Sequence, residues 1–265
     1  MFSKALVTTI ENNTENKNSK FLGIERKYFD EAVKCFKSWE KYHPEVQKYA
    51  ICPTKATLNK DEIKQLEELN VVYIEKYFEE LEECDNGFIN VSLSISYLEN
   101  VLNEDIFIHT DLDMVLIKKL PDDLFLIEKN DVICGKYDDE SRKCQRVDFD
   151  TGFTIHFRNN KFYNEYWTII KDIIDGKIPL PPGVLYYDIE EYAMEYISKT
   201  NKKYNILPIE KYQLGEGYPS IDLFSNNDLR KVYFWHEHLV NDKKEELVKE
   251  KIKLFKRLKE VEKPQ

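Results

Sequence analysis

The sequence predicts an α/β fold, with helices on both faces of a mostly parallel central sheet and an amphipathic helix at the C-terminal end. Three observations lead there. Short β-like apolar runs alternate with helical patterns along the first half of the chain. The length, 265 residues, is within reach of one large domain. Apolar residues make up 42%, enough for a continuous core, which excludes wholesale disorder. No linker and no internal repeat divides the chain, so residues 1–241 read as one domain and 242–265 as the appended helix.

The elements follow in order. KALVTTI (4–10) reads as the first strand, and ENNTENKNSK (11–20) as a polar loop. From Glu25 to Tyr42 the apolar residues Tyr28, Phe29, Ala32, Val33, Phe36 and Trp39 mark one helical face, which His43-Pro44 ends. KYAICPT (48–54) is the second strand. A helix runs from Asn59, its expected N-cap, to Leu69. VVYIEK (71–76) is the third strand, and Ile89–Leu102 a helix. DIFIHTDLDMVLI (105–117) is a strand running into a loop, and Pro121 opens a short helix in PDDLFLI. DVICGKY (131–137) and DTGFTIHF (150–157) are strands, and Lys161–Asp175 a helix. A Pro-rich loop (178–184), a helix (Asp188–Ser198) and strands at 204–209 and 231–235 complete the domain.

Composition excludes several functions. No apolar run exceeds four residues, whereas a spanning helix needs about 20. The first residues, MFSKALVTTI, are too short and too β-like for a secretory signal. The five cysteines, Cys35, Cys52, Cys84, Cys134 and Cys144, include no C-x-x-C pair, which argues against zinc-ribbon and thioredoxin-type sites. Reduced thiols and a cytoplasmic location are the expectation, and the N-x-[ST] triplets at Asn12 and Asn90 are read as chance. A net charge of −10 speaks against nucleic acid as a partner, since phosphate contacts need a basic surface.

The chemistry-bearing stretch is IFIHTDLDMVLIKKLPDDLF (106–125). Its apolar strand ends in Asp111-Leu112-Asp113. Two carboxylates one residue apart can reach one hard cation with oxygen ligands, and such a cation can bridge to diphosphate oxygens. Ligands of open α/β sheets sit at the carboxyl ends of strands, where this pair falls. Other close acidic pairs, Asp122-Asp123, Asp138-Asp139 and Asp148/Asp150, follow no fully apolar strand.

An apolar strand, D-x-D, apolar residues and a Pro-led helix resemble the nucleotide-sugar site of glycosyltransferases with the GT-A fold. LVTTI, then YFDEAVKCFKSW from Tyr28, then KYAICPT resemble the start of the glycogenin and lipopolysaccharide-galactosyltransferase type. Ser38-Trp39 stands where a Ser-Leu pair is usual there. The resemblance implies that Thr8, Thr9 and Tyr28 lie against the nucleotide base. FDTGFTIHFRNNKFYNEYW (149–167) resembles the family segment "N-[ST]-G, apolar strand, Arg-Asn, helix", with Asp150 in place of Asn and Gly152 letting backbone approach the sugar. YYDIEEYAMEYI (186–197) resembles the helix that opens with Asp-Gln in these proteins. Asp188 matches, Ile189 replaces Gln, and Glu190 or Glu191 is the acid expected to face the acceptor; the same residues also fit a helix N-cap with first-turn acids. KVYFWHEHLVN (231–241) resembles the C-terminal strand that delivers a His to the metal. His236 is favoured over His238, and Lys243-Lys244 stand where phosphate charge is expected.

The resemblance thus implies a GT-A-like glycosyltransferase of hexosyltransferase type. Asp111, Asp113 and a histidine (His236 or His238) hold Mn²⁺ or Mg²⁺; Asp111 and Gly152 also meet the donor, and Asp150, Asp188 and Glu191 serve catalysis. The donor is a nucleotide-diphosphate sugar, UDP first and GDP second, and the acceptor a hydroxyl of a glycan, glycoprotein or lipid-linked sugar. Two other classes stand beside it. A nucleotidyltransferase acting on a sugar phosphate would use the same Asp pair, but normally shows a Gly-rich loop after the first strand, and residues 11–20 contain no Gly. A non-catalytic nucleotide-sugar-binding protein would keep the fold without transfer.

Residues 243–263 carry nine Lys/Arg and five Glu. Leu247, Leu254, Leu258 and Val261 follow helical spacing, with Ile252 and Phe255 beside them. This basic amphipathic helix is expected to close the fold; the other reading lays it on an anionic membrane surface as a peripheral contact.

Overall fold

The computed structural model describes residues 2–10, 28–81, 89–137, 147–185, 188–210 and 229–236, with 253, 256, 257 and 260 beyond them. Its strands are β1 (Lys4–Thr9), β2 (Gln47–Cys52), β3 (Val71–Glu75), β4 (Ile106–Thr110), β5 (Met114–Leu116), β6 (Asp131–Lys136), β7 (Phe149–Phe157), β8 (Asn205–Glu210) and β9 (Phe234–His236). Its helices are α1 (Tyr28–Tyr42), α2 (Lys60–Glu67), α3 (Asn90–Val101), α4 (Phe162–Ile174) and α5 (Ile189–Thr200).

Seven strands form one sheet in the order β3-β2-β1-β4-β7-β6-β8. All neighbours pair in parallel except β7, which runs antiparallel to both β4 and β6. The fold is therefore α/β with a mostly parallel, helix-flanked sheet, as expected. Strand β4 is buried along its whole length, because a parallel sheet covered on both faces has no wet side. Alternation sorts its side chains: Ile106 and Ile108 join the core under α1, with Phe36, Trp39 and Phe153. Phe107 joins the core under α3, α4 and α5, with Tyr163, Tyr166 and Met194.

Local signals explain several boundaries. Asn59 caps α2 through a full capping box: its Oδ1 accepts from the Asp61 and Glu62 amides, and its own N–H donates to Glu62 Oε2 at 2.9 Å. The start of α4 is capped from a distance. Glu99 of α3 accepts from the Tyr163 amide (3.0 Å), the Asn164 amide (3.1 Å) and His156 Nε2 (2.7 Å), with Glu99 and His156 both fully buried.

The structure corrects three expectations and adds the direction of β7. The segment after D-x-D is a separate strand, β5, which pairs antiparallel with β9 in a second small sheet. PDDLFLI forms only a 3₁₀ turn over Asp122–Phe125; Phe125 and Ile127 both point inward, a spacing of two that an α-helix does not present to one face. The strand expected at 231–235 is shorter and later, Phe234–His236. Strand β7 is reversed, a property of pairing that no local pattern encodes. Among the described residues no helix is long and apolar enough to cross a membrane. Cys35, Cys52 and Cys134 are buried and form no disulfide. Of the expected C-terminal helix only Lys253, Lys256, Arg257 and Glu260 are described, and these are helical; the rest lies outside the described residues.

Removing the Glu99 carboxylate strands two helix-terminal amides and a buried imidazole together. Glu99→Ala should lower unfolding free energy by about 3 kcal/mol, read as a lower urea midpoint, and Glu99→Gln should cost less because one acceptor oxygen stays.

Candidate active site

The carboxyl ends of β1, β4 and β6 lie along one edge of the sheet. Because β7 is reversed, its first residues come to the same edge. The β4–β7 ladder continues past Thr110, with the Asp111 N–H donating to the Gly152 carbonyl at 2.8 Å. The Met114 N–H donates to the Asp111 carbonyl (3.1 Å), which closes the D-x-D turn and starts β5. Against β6, the register jumps from Cys134↔Thr154 to Gly135↔Asp150, so Thr151, Gly152 and Phe153 have no β6 partner. This bulge leaves that part of β7 paired with β4 alone.

Gly152 is where the two strands meet the carboxylates. Its N–H donates to Asp150 Oδ1 (2.8 Å). A Cβ there would lie 2.7 Å from Asp111 Oδ2 and 3.1 Å from Asp150 Oδ1. Any larger residue therefore takes the space the carboxylates use. Asp150 uses its acceptor oxygen on its own strand.

Asp111 keeps 43% of its side chain exposed, whereas Asp113 is buried at 5% exposure. Behind the turn, the Cys35 thiol is pushed up to about 12, chiefly by burial, with Asp113 and Asp111 adding to it. It is an inert packing thiol. His109 is a site residue the motif reading passed over. Its Nδ1 lies 3.2 Å from the Val7 carbonyl, which can only accept, so Nδ1 carries a proton and Nε2 faces Asp111 Oδ1 at 3.5 Å. The signal was available: on a strand, positions 109 and 111 share a face.

Helix α5 brings the second group of acids. Asp188 occupies the N-cap position, yet its side chain accepts from the Leu185 amide (3.2 Å) rather than capping α5. Glu190 Oε1 accepts from the Ser92 hydroxyl of α3, and the Tyr166 hydroxyl donates to the Glu190 carbonyl (2.7 Å). Burial pushes the Glu190 carboxyl up to about 8, with the Ser92 bond opposing and the Asp111 charge adding. Glu191 accepts from the Tyr137 hydroxyl (2.8 Å).

Thr8 is buried near the end of β1 and Thr9 half-buried. Tyr28 opens α1, but its side chain lies outside the description, as does all of His238. His236 ends β9, and its backbone pairs opposite Met114, one residue past Asp113; its side chain is not described. Among the described residues no three His, Cys, Asp or Glu side chains converge as a ready-made metal cage. The donors at the turn, Asp111 and Asp113, are hard oxygen ligands and fit Mn²⁺ or Mg²⁺, which commonly completes its shell with water or phosphate oxygens.

No protein-family model matches the chain, and no curated protein sequence matches it. Among solved structures, the chain is similar to the apo-form glycosyltransferase GlyE of Streptococcus pneumoniae TIGR4, at 16% identity and TM-score 0.48 over 78% of this chain. A second structure of GlyE matches at 12% identity and TM-score 0.47, again over 78% of this chain. The matches span 45% and 46% of the GlyE chains, less than half their length.

Gly152→Ala should fold with little loss of stability, because the atom it crowds is the free end of Asp111. It should nonetheless remove ligand binding that depends on Asp111. A melting temperature within about 2 °C of wild type, with binding lost, is the expected outcome.

Proposed function

We propose that the protein is a metal-dependent GT-A-type glycosyltransferase moving a hexose from a nucleotide-diphosphate sugar, a UDP-sugar first, to a hydroxyl acceptor. One observation carries the reading. The D-x-D turn at the end of the fully buried central strand meets Gly152 and Asp150 from the reversed strand, at the carboxyl edge of a mostly parallel sheet. The resemblance of the same segments to nucleotide-sugar sites supports it.

In this reading Asp111, Asp113 and His236 hold Mn²⁺ or Mg²⁺. Such a cation supplies charge neutralisation for the diphosphate leaving group. The chain's own residues do the rest. Thr8, Thr9 and Tyr28 bind the base side of the donor. Gly152, without a side chain, lets the donor sugar approach the β7 backbone, and Asp150 holds that backbone in place. Glu190 takes the proton of the acceptor hydroxyl, since a carboxyl raised toward working pH is matched to proton transfer. Glu191, held by Tyr137, and Asp188 shape the acceptor side. A peripheral membrane contact through the C-terminal segment belongs to the same proposal, because lipid-linked acceptors are among those it admits.

Two measurements test it. With Mn²⁺ and UDP-sugar at about 100 times Kd, the melting temperature should rise by about 5 °C or more. Asp111→Asn and Asp113→Asn should each remove that shift while melting cooperatively. A shift that survives both substitutions, or excess chelator, overturns the reading.

The pH dependence follows from Glu190. A base must be deprotonated, so turnover should rise with pH and level off above about 8. Neutralising Asp111 removes one cause of the upward shift, so saturating Mn²⁺ should move this limb to lower pH. Glu190→Gln should lose turnover by about a hundredfold or more, together with the limb, while keeping donor binding.

A further inference from the structure

Strand β5 and the residues after it are held from two sides. On one side β5 pairs with β9, and the Ile117 N–H donates to the Tyr233 carbonyl at 2.9 Å. On the other side lie side chains from the end of α1. Ser38 Oγ accepts from the Leu116 N–H (2.9 Å) while donating to the Cys35 carbonyl (2.6 Å). The Tyr42 hydroxyl donates to the Ile117 carbonyl (2.7 Å). His43 Nε2 accepts from the Leu120 N–H (2.9 Å). Positions 38 and 42 are four apart and 43 follows at the helix end, so one face of α1 reads the backbone of 116–120.

The His43 tautomer is defined by its neighbours. An amide N–H can only donate, so Nε2 must carry a lone pair toward Leu120. On the other side Nδ1 lies 3.1 Å from Glu45 Oε1, and a carboxylate accepts. The ring is fully buried between Trp39 (centroids 5.4 Å apart) and Phe125 (5.6 Å).

We propose that His43 is a positioning residue for the Asp111–Asp113 turn: its neutral ring, with Ser38 and Tyr42, holds the segment that follows the turn, and protonation of the ring releases it. This deepens the donor-site reading and rests on it for its consequence to activity. A proton on Nε2 would set two donors face to face and leave the buried Leu120 N–H without an acceptor. The turn, closed by the Met114 N–H to Asp111 carbonyl bond, then loses one of the anchors of the segment that follows it.

The surroundings set the pH at which this happens. Burial lowers the His43 pKa below its ordinary value of 6.5; Glu45 opposes that, while Lys119 and Lys4 add to it. Glu45 stands on its own turn, Lys4 on β1, and Lys119 and Asp122 on the segment after β5. Lys119 pairs with Asp122 at 2.9 Å, and Lys4 lies 3.9 Å from Glu45. With the folded value depressed, the unfolded chain binds the proton more readily. The ring's contribution to stability is therefore full above the ordinary histidine range and declines as pH falls through and below it.

Amide hydrogen exchange at Leu120 and Met114 tests this in the full-length chain, at about pH 7.5 and about pH 5, either side of the ordinary histidine value, after correction for intrinsic exchange. Wild type should lose about tenfold in protection at both amides on acidification. His43→Gln keeps an amide oxygen for Leu120 and does not titrate, so it should keep its protection at both pH values. His43→Phe should show low protection at both, and Mn²⁺–nucleotide binding several-fold weaker than in His43→Gln. Equal acid loss in wild type and His43→Gln overturns the proposal, as does loss at Leu120 without loss at Met114, or no loss at all. If the wild type binds neither Mn²⁺ nor nucleotide at any pH, the donor-site reading fails, and the exchange contrast still decides the role of His43.

Discussion

The N–H of Asp111 bonded to the carbonyl of Gly152 joins the last residue of the parallel half of the sheet to the start of its one reversed strand. The site depends on that junction. Had β7 run parallel, Asp150 and Gly152 would stand at the opposite edge, some 20 Å from the D-x-D turn for a strand of this length. Reversal brings both strand ends to one edge. The bulge against β6 leaves Gly152 and Phe153 paired to β4 alone, and the missing Cβ at 152 gives Asp111 and Asp150 the room they share.

The turn is then braced from behind by polar groups inside an apolar core. Such groups are costly unless every donor finds an acceptor. Ser38, Tyr42 and His43 meet that condition by matching α1 side chains to backbone groups of 116–120. Glu99 meets it on the other face of the sheet by capping α4 and holding His156. These networks keep the two faces in one register relative to the carboxyl edge. At that edge burial is the main cause of the raised Glu190 carboxyl, and the Asp111 charge adds to it. In the proposed reading the divalent cation would offset the negative charge of these carboxylates.

Much of this was legible in the residues. The alternation of strands and helices, the Asn59 cap and the buried strand ending in D-x-D read out from local patterns, because period, capping and turn chemistry act over a few residues, whereas Gly152 was named only through the resemblance of its segment. His109 was legible in principle by its two-residue spacing from Asp111. Glu190 and Glu191 were not separable in the sequence, since adjacent acids on a first helical turn look alike. Only tertiary packing sets Ser92 of α3 against one and Tyr137, which follows β6, against the other.

What the sequence determined by itself is the α/β class, the order of its elements and the position of the carboxylate pair at a strand end, because each follows from hydrophobic period and short-range hydrogen bonding. The tertiary structure alone decided that β7 is reversed, that β5 is a separate strand completed by β9 from the far end of the domain, and that α1 side chains serve as its other partner. The β4–β7 pairing joins residues 43 to 51 apart, and the partners of β5 and the residues after it lie 75 to more than 100 residues away. They are selected by which arrangement buries both cores and leaves no backbone group unpaired, a condition on the whole chain that no local window contains.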